Sequence, residues 1–355
     1  MIFPTWTLLV LLAAIGKPSP SPPACAATIF SPAGAHAATS MAGGPGLVLS
    51  GAGLSGMPHA PVFAWIRAHF PGAENARAGN VVILKASGAR DYSDDFYREG
   101  RFASVQEILI PPCAPAAQAD RAAKYVDGAD VVLFAGGDQA NYVKWKGTKL
   151  VAAVRRLYAR GGIEGGGSAG LAIQGAVVYD SVAADRILPD DEEVHTADAV
   201  ANPFEPAISF TTGFFDWPPM RDTIADTHFA RRDRFGRLAA FMARALHGGL
   251  VSASRIFGVA VDEDAVLLVD KKGKATLYQR AREENGYVPR GAWILEGAAT
   301  RLLPGHALRY TVKVTHLRSN GDTYDLWNKR GGDAPYTVTV DGRRKPVYSP
   351  GDPYR

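Results

Sequence analysis

Cysteine is nearly absent from this chain: two residues in 355, Cys25 and Cys113. So few thiols exclude a cystine-stapled scaffold and a thiolate zinc site. Cys25 falls in an N-terminal segment read as discarded, which leaves Cys113 alone and predicts no disulfide. No apolar run is long enough to cross a bilayer, so no membrane span is expected. The net charge is only +4 and no basic stripe appears, so nucleic acid is not an expected partner. Neither a G-x-x-x-x-G-K-[ST] phosphate loop nor a G-x-G-x-x-G dinucleotide turn with its downstream acid is present, and no cofactor is expected. His195 stands beside the acidic run Pro189-Asp190-Asp191-Glu192-Glu193. No second histidine has ligand spacing, so no metal is expected there, and the run reads as a solvated connection.

What is present describes an ordinary globular protein, 47% hydrophobic and 21% charged. The apolar run Thr7 to Ile15 reads as the core of a signal peptide over residues 1–26, although nothing basic precedes Lys17. Export to a periplasmic or extracellular space is therefore expected. A Pro/Ala/Gly/Ser-rich leader over 27–45 follows. From residue 46 strands and helices alternate: strands at Gly46–Ser50, Val81–Leu84, Val105–Ile110, Val131–Phe134 and, weakly, around Ile163. Helices are expected at Val62–Ala68, Asp120–Val126 and from Lys149. Continuous β-branched and leucine strands separated by helices predict a doubly wound, mostly parallel α/β sheet flanked by helices over 46–300. Phe257 to Val269 reads as a β-hairpin with an acidic tip. The remainder, 301–355, alternates like a small β appendage.

The chain is organised around Gly166-Gly167-Ser168-Ala169-Gly170, a G-x-S-x-G between a short strand and a small-residue helix start. A serine stands clear of a sheet only on a sharp strand-to-helix turn, where backbone approaches backbone and side chains are excluded. The plainer reading makes Ser168 an ordinary helix N-cap. A nucleophilic serine needs a base and a group to orient it. Of eight histidines, His228 is set apart by Asp226 before it and Arg231, Arg232, Arg234 and Arg237 after it. Four cations so close repel one another unless something anionic binds among them, and a guanidinium fork suits a carboxylate.

Gly136-Gly137-Asp138-Gln139, Gly167-Ser168-Ala169-Gly170, Asp226-x-His228-Phe229-x-x-Arg232-x-Arg234-x-Gly236-Arg237-Leu238 and Gly258-Val259-Ala260-Val261-Asp262-Glu263 occur in this order. With them the chain resembles the cyanophycinase-like serine peptidases, peptidase family S51, which include aspartyl dipeptidases and share the class I glutamine amidotransferase fold. The resemblance covers roughly residues 46–270. It implies Ser168 as nucleophile, His228 as base and Glu263 as the triad acid, with Asp180 and Asp185 as rivals for the last role. It implies oxyanion donors from the backbone of Gly137 and Ala169. Gln139, Arg232, Arg234 and Arg237 would hold an aspartyl or β-aspartyl group, supported by Asp226 and with Thr227 in the pocket. Two positions depart from the pattern: Thr227 replaces the glutamine of cyanophycinases, and Gly167 replaces the usual threonine. The implied substrate is a peptide with aspartyl or β-aspartyl groups, such as cyanophycin fragments. A non-catalytic carboxylate-binding protein on the same fold is the alternative, and an α/β-hydrolase esterase a third. A homodimer is left open.

Overall fold

The structure, a computed structural model, describes residues 25–72, 76–189, 192–281 and 286–355. The apolar run read as a signal peptide lies outside the described residues. In chain order, β1 (Thr28–Ile29) and β2 (Ala33–Gly34) precede five strands: β3 (Gly46–Ser50), β4 (Asn80–Lys85), β5 (Ser104–Leu109), β6 (Val131–Phe134) and β7 (Ile163–Gly167). There follow β8 (Val177–Tyr179), β9 (Phe210–Thr212), β10 (Thr223–Asp226), β11 (Arg255–Val261), β12 (Ala265–Val269), β13 (Lys274–Gln279) and β14 (Ala292–Ala298). The chain ends with β15 (Arg309–Leu317), β16 (Thr323–Asp325), β17 (Arg330–Gly331), β18 (Tyr336–Asp341) and β19 (Tyr348–Ser349).

These strands form two sheets. At the centre of the first, β5, β4, β6, β7 and β3 lie side by side and parallel. Of these, β3, β4 and β6 are apolar along most of their length and buried throughout, as a parallel sheet covered by helices requires. The helices Ala116–Asp127 and Lys149–Ala159 cover one side through alanine and leucine faces. Antiparallel strands extend both edges, with β1 and β2 on β5 and β12, β13, β16 and β17 beyond β3. The architecture is thus α/β with a parallel centre flanked by helices.

The second sheet runs β19-β18-β15-β14-β11-β10-β8-β9. Its inner face packs on the helix Phe235–His247, which buries Phe235, Leu238, Phe241 and Met242. Phe241 stacks on Tyr179 with ring centroids 4.4 Å apart.

Three expectations change. Phe257 to Val269 is not a hairpin: β11 pairs with β10 and β14 in the second sheet, whereas β12 pairs with β3 and β13 in the first. Alternating apolar residues around an acidic turn look the same in sequence whether the strands pair or cross between sheets. Cys25 and Cys113 are joined in a disulfide, so the expectation of a lone thiol fails. The chain from Cys25 onward is held on the sheet edge through β1 and β2, which brings the two sulfurs together. The β-rich segment after 301 is not set apart either, since its strands continue both sheets.

Candidate active site

Ser168 stands at the junction of β7 and a short helix, Ala169–Ala172, with φ 53° and ψ −117°. A non-glycine residue at positive φ is strained and persists only where its surroundings impose it. Those surroundings are backbone. The Ser168 N–H donates to the Ser50 carbonyl at 3.1 Å. A Cβ on Gly167 would run into the carbonyl oxygen of Ala52, and one on Gly170 into that of Phe134. The departure from threonine at Gly167 therefore has a steric cause in this chain, where the loop after β3 lies too close for any side chain.

His228 leaves the end of β10 with φ 47°, and its N–H donates to the Gly51 carbonyl at 3.0 Å. Its Nε2 lies 2.8 Å from Ser168 Oγ, and its Nδ1 lies 2.5 Å from Glu263 Oε1. Glu263 sits on the crossing from β11 to β12, the segment misread as a hairpin tip. The two sheets thus contribute one member each, and the crossing between them contributes the third. The rival acids are elsewhere. Asp180 accepts from Ser209 Oγ, Thr211 Oγ1 and the Val182 N–H, which closes its own loop. Asp185 lies beside Asp138 on the cavity wall.

Burial depresses the His228 pKa below the ordinary imidazole value, and Arg232 and Arg234 depress it further; the hydrogen bond to Glu263 partly offsets them. This shift favours the neutral ring. With its Nδ1 proton on Glu263, its Nε2 would present a lone pair to the serine hydroxyl. Such a chain can deprotonate an alcohol as it attacks a carbonyl.

Ser168 opens onto a cavity of about 890 Å³ lined also by Gly137, Ala169, Gln139, Asp226 and Thr227. Gly137 has φ 132°, a conformation closed to residues with a Cβ, directly after the Gly136 turn that ends β6. Gln139 donates to Ser181 Oγ at 2.6 Å.

The arginines are not arranged as their spacing suggested. Arg237 clasps Asp226 with two hydrogen bonds, of 2.9 and 2.6 Å, and is buried. Arg234 donates to the Thr227 carbonyl at 2.8 Å and to Thr227 Oγ1 at 3.0 Å. Thr227, in the position of the glutamine, is thus occupied with an internal contact. Both arginines also donate to Glu193 Oε2, Arg237 at 3.0 Å. Burial opposes the charge on Glu193, but Arg237 and Arg234 outweigh it and hold the carboxyl down to about 2. Glu193, read as part of a solvated acidic loop, is the counterion of this cluster. Arg232 is roughly half exposed and stands 3.9 Å from both Glu193 and Glu263. His195 starts the helix Thr196–Ala201, where its N–H donates to Asp198 Oδ2 at 3.1 Å.

Two buried acids near the site escaped the sequence reading. Asp262 accepts from the N–H groups of Ala230 and Arg231 at 3.0 and 3.1 Å on one oxygen, and from Tyr287 Oη and the Arg290 N–H at 2.5 and 3.0 Å on the other. It ties the loop after His228 to the crossing that carries Glu263. Its place beside Glu263 was visible, but its donors lie 31 to 32 and 25 to 28 residues away. Glu164 lies fully buried in β7, and burial pushes its carboxyl well above the usual range. Gln174 donates to it at 3.0 Å and to the Gly170 carbonyl at 2.8 Å, bracing the turn from beneath. An acid inside a glycine-rich buried strand was the available signal.

No known family model and no curated protein matches the chain. Among solved structures it is similar to a peptidase from an acI-B1 Actinobacterium, with 16% identity over 74% of this chain and 93% of that one and a TM-score of 0.44. So loose a likeness carries no argument about chemistry, which rests on the side chains themselves.

Proposed function

We propose that the protein is a serine peptidase of the cyanophycinase-like kind, acting on aspartyl or β-aspartyl peptides. The single observation that carries this reading is the 2.8 Å contact between Ser168 Oγ and His228 Nε2. Ser168 Oγ attacks the scissile carbonyl while His228 Nε2 takes its proton. The oxyanion is received by the N–H groups of Gly137 and Ala169. His228 then protonates the leaving amine, and water resolves the acyl-enzyme by the same steps in reverse. Glu263 holds the ring and stabilises the imidazolium as it forms. Arg232 is the group that would meet the substrate's carboxylate, beside Gln139, whose amide donates to Ser181 Oγ and to the Tyr179 carbonyl. Loss of one oxyanion donor from such a site costs ~10²–10³ in turnover.

The disulfide between Cys25 and Cys113 supports an exported protein, because such bonds persist in oxidising compartments. The decisive experiment incubates the protein and its Ser168→Ala variant with a library of α- and β-linked aspartyl peptides and reads the products by mass spectrometry. Cleavage by the parent and none by the variant is expected. A parent that binds these peptides without cutting them would instead make the protein a carboxylate-binding relative.

A further inference from the structure

We propose that Glu193 sets the charge selectivity of the cavity: it occupies the carboxylate seat formed by Arg234 and Arg237 and closes that seat to acidic ligands. The proposal deepens the peptidase reading by stating which cation a substrate carboxylate can reach, and it rests on that reading for the substrate alone.

A planar carboxylate between two guanidinium groups is the arrangement in which an external acid would be held. Here Glu193 already fills it, accepting on one oxygen from Arg234 Nη2 and Arg237 Nη1. The charges balance within the cluster, Arg234 and Arg237 against Asp226 and Glu193. The rest of the cavity wall carries Arg232 against Asp138, Asp185 and Glu192. An incoming anion therefore meets a wall in excess of its own sign, where Arg232, paired with Glu193 and Glu263 only at 3.9 Å, is less tightly held than Arg234 and Arg237. It would also compete with a carboxylate tethered in place, at an effective concentration of millimolar or more. Yet Glu193 belongs to the cavity wall, and its side chain keeps about a third of its exposure. Removing it would open the seat to the cavity.

The aspartyl carboxylate of a substrate then reaches Arg232, and the buried pair serves to hold Thr227 and Asp226 beneath His228. Small diacids are poor ligands of the parent, and the groups that approach the acidic wall are neutral or cationic.

The test uses the full chain, its Glu193→Ala and Glu193→Gln variants, and succinate as probe, with binding followed by calorimetry and by thermal shift at pH 7. Glu193→Ala should bind succinate at least about tenfold more tightly than the parent and gain stability from it, since the ligand restores charge-assisted hydrogen bonds to both arginines. Glu193→Gln retains the shape of the side chain and guards against misfolding; it should gain affinity less strongly. The gain should survive Arg232→Ala in the Glu193→Ala background. A parent that binds succinate as tightly as the variants overturns the proposal, as does a gain that disappears with Arg232. None of these readings depends on hydrolysis, so a succinate gain in a protein that cuts no peptide would sink the peptidase reading and leave this one standing.

Discussion

The Ser168–His228–Glu263 chain and the arginine cluster lie side by side, and they answer the sequence differently. In the first, each residue finds the partner its chemistry calls for, across 60 and 35 positions of sequence. In the second, the charges visible in one motif are cancelled by a carboxylate from Glu193, some 40 residues upstream. A serine hydroxyl and an imidazole each carry a requirement for one kind of partner, so the expectation of a partner is specific. A run of like charge states only that a counterion is needed, and the fold chose an internal one.

The largest expected effect breaks the first half of the comparison. His228→Ala should lower kcat/KM by on the order of 10⁴–10⁶, and adding Ser168→Ala should cost little more, because such groups act as a unit. Steady-state kinetics on a cleaved aspartyl peptide measures both. If the two losses add in full, the pair does not function as one device.

The second half is tested by stability. Arg237→Met strips the buried Asp226 of its clasp and leaves an uncompensated charge, with an expected loss of about 3–5 kcal/mol in urea unfolding. Arg232→Ala, at a half-exposed position, should change stability by less than about 1 kcal/mol. Equal losses at the two positions would erase the distinction drawn between them.

Asp262 joins the two halves. Asp262→Asn places an amide donor against an oxygen site that two donors share, so the loop carrying His228 should shift from Glu263. Displacements of about 1 Å can cost ~10² in rate, so kcat should fall by up to that factor with KM nearly constant. A change confined to KM would deny it a positioning role.

The smallest effect concerns pH. Since burial and the neighbouring arginines depress the His228 pKa, kcat/KM should fall only as pH drops below the ordinary histidine value, when the ring takes a proton. Arg232→Ala removes one of the depressing charges, so the acid limb of the profile should move to higher pH, more visibly at low salt. A shift to lower pH would show that Arg232 does not face the ring.

Much of the fold was legible because it is local. Four runs rich in Val, Ile and Leu, each followed by a helix or turn signal, read as strands of a covered sheet, the fifth around Ile163 was only weakly signalled, and Gly166 to Gly170 announced a turn without side chains. Ser168 and His228 stood out by their settings, whereas Glu263 was implied only by the family resemblance, with Asp180 and Asp185 as rivals. Tertiary structure alone decided that the chain crosses between sheets at Asp262 and Glu263, that Cys25 reaches Cys113, and that Glu193 closes the arginine pair. Each of these is a pairing between distant segments. Its energy depends on burial and on which opposite charge or unpaired edge arrives first, and residue types in a line do not encode that distance.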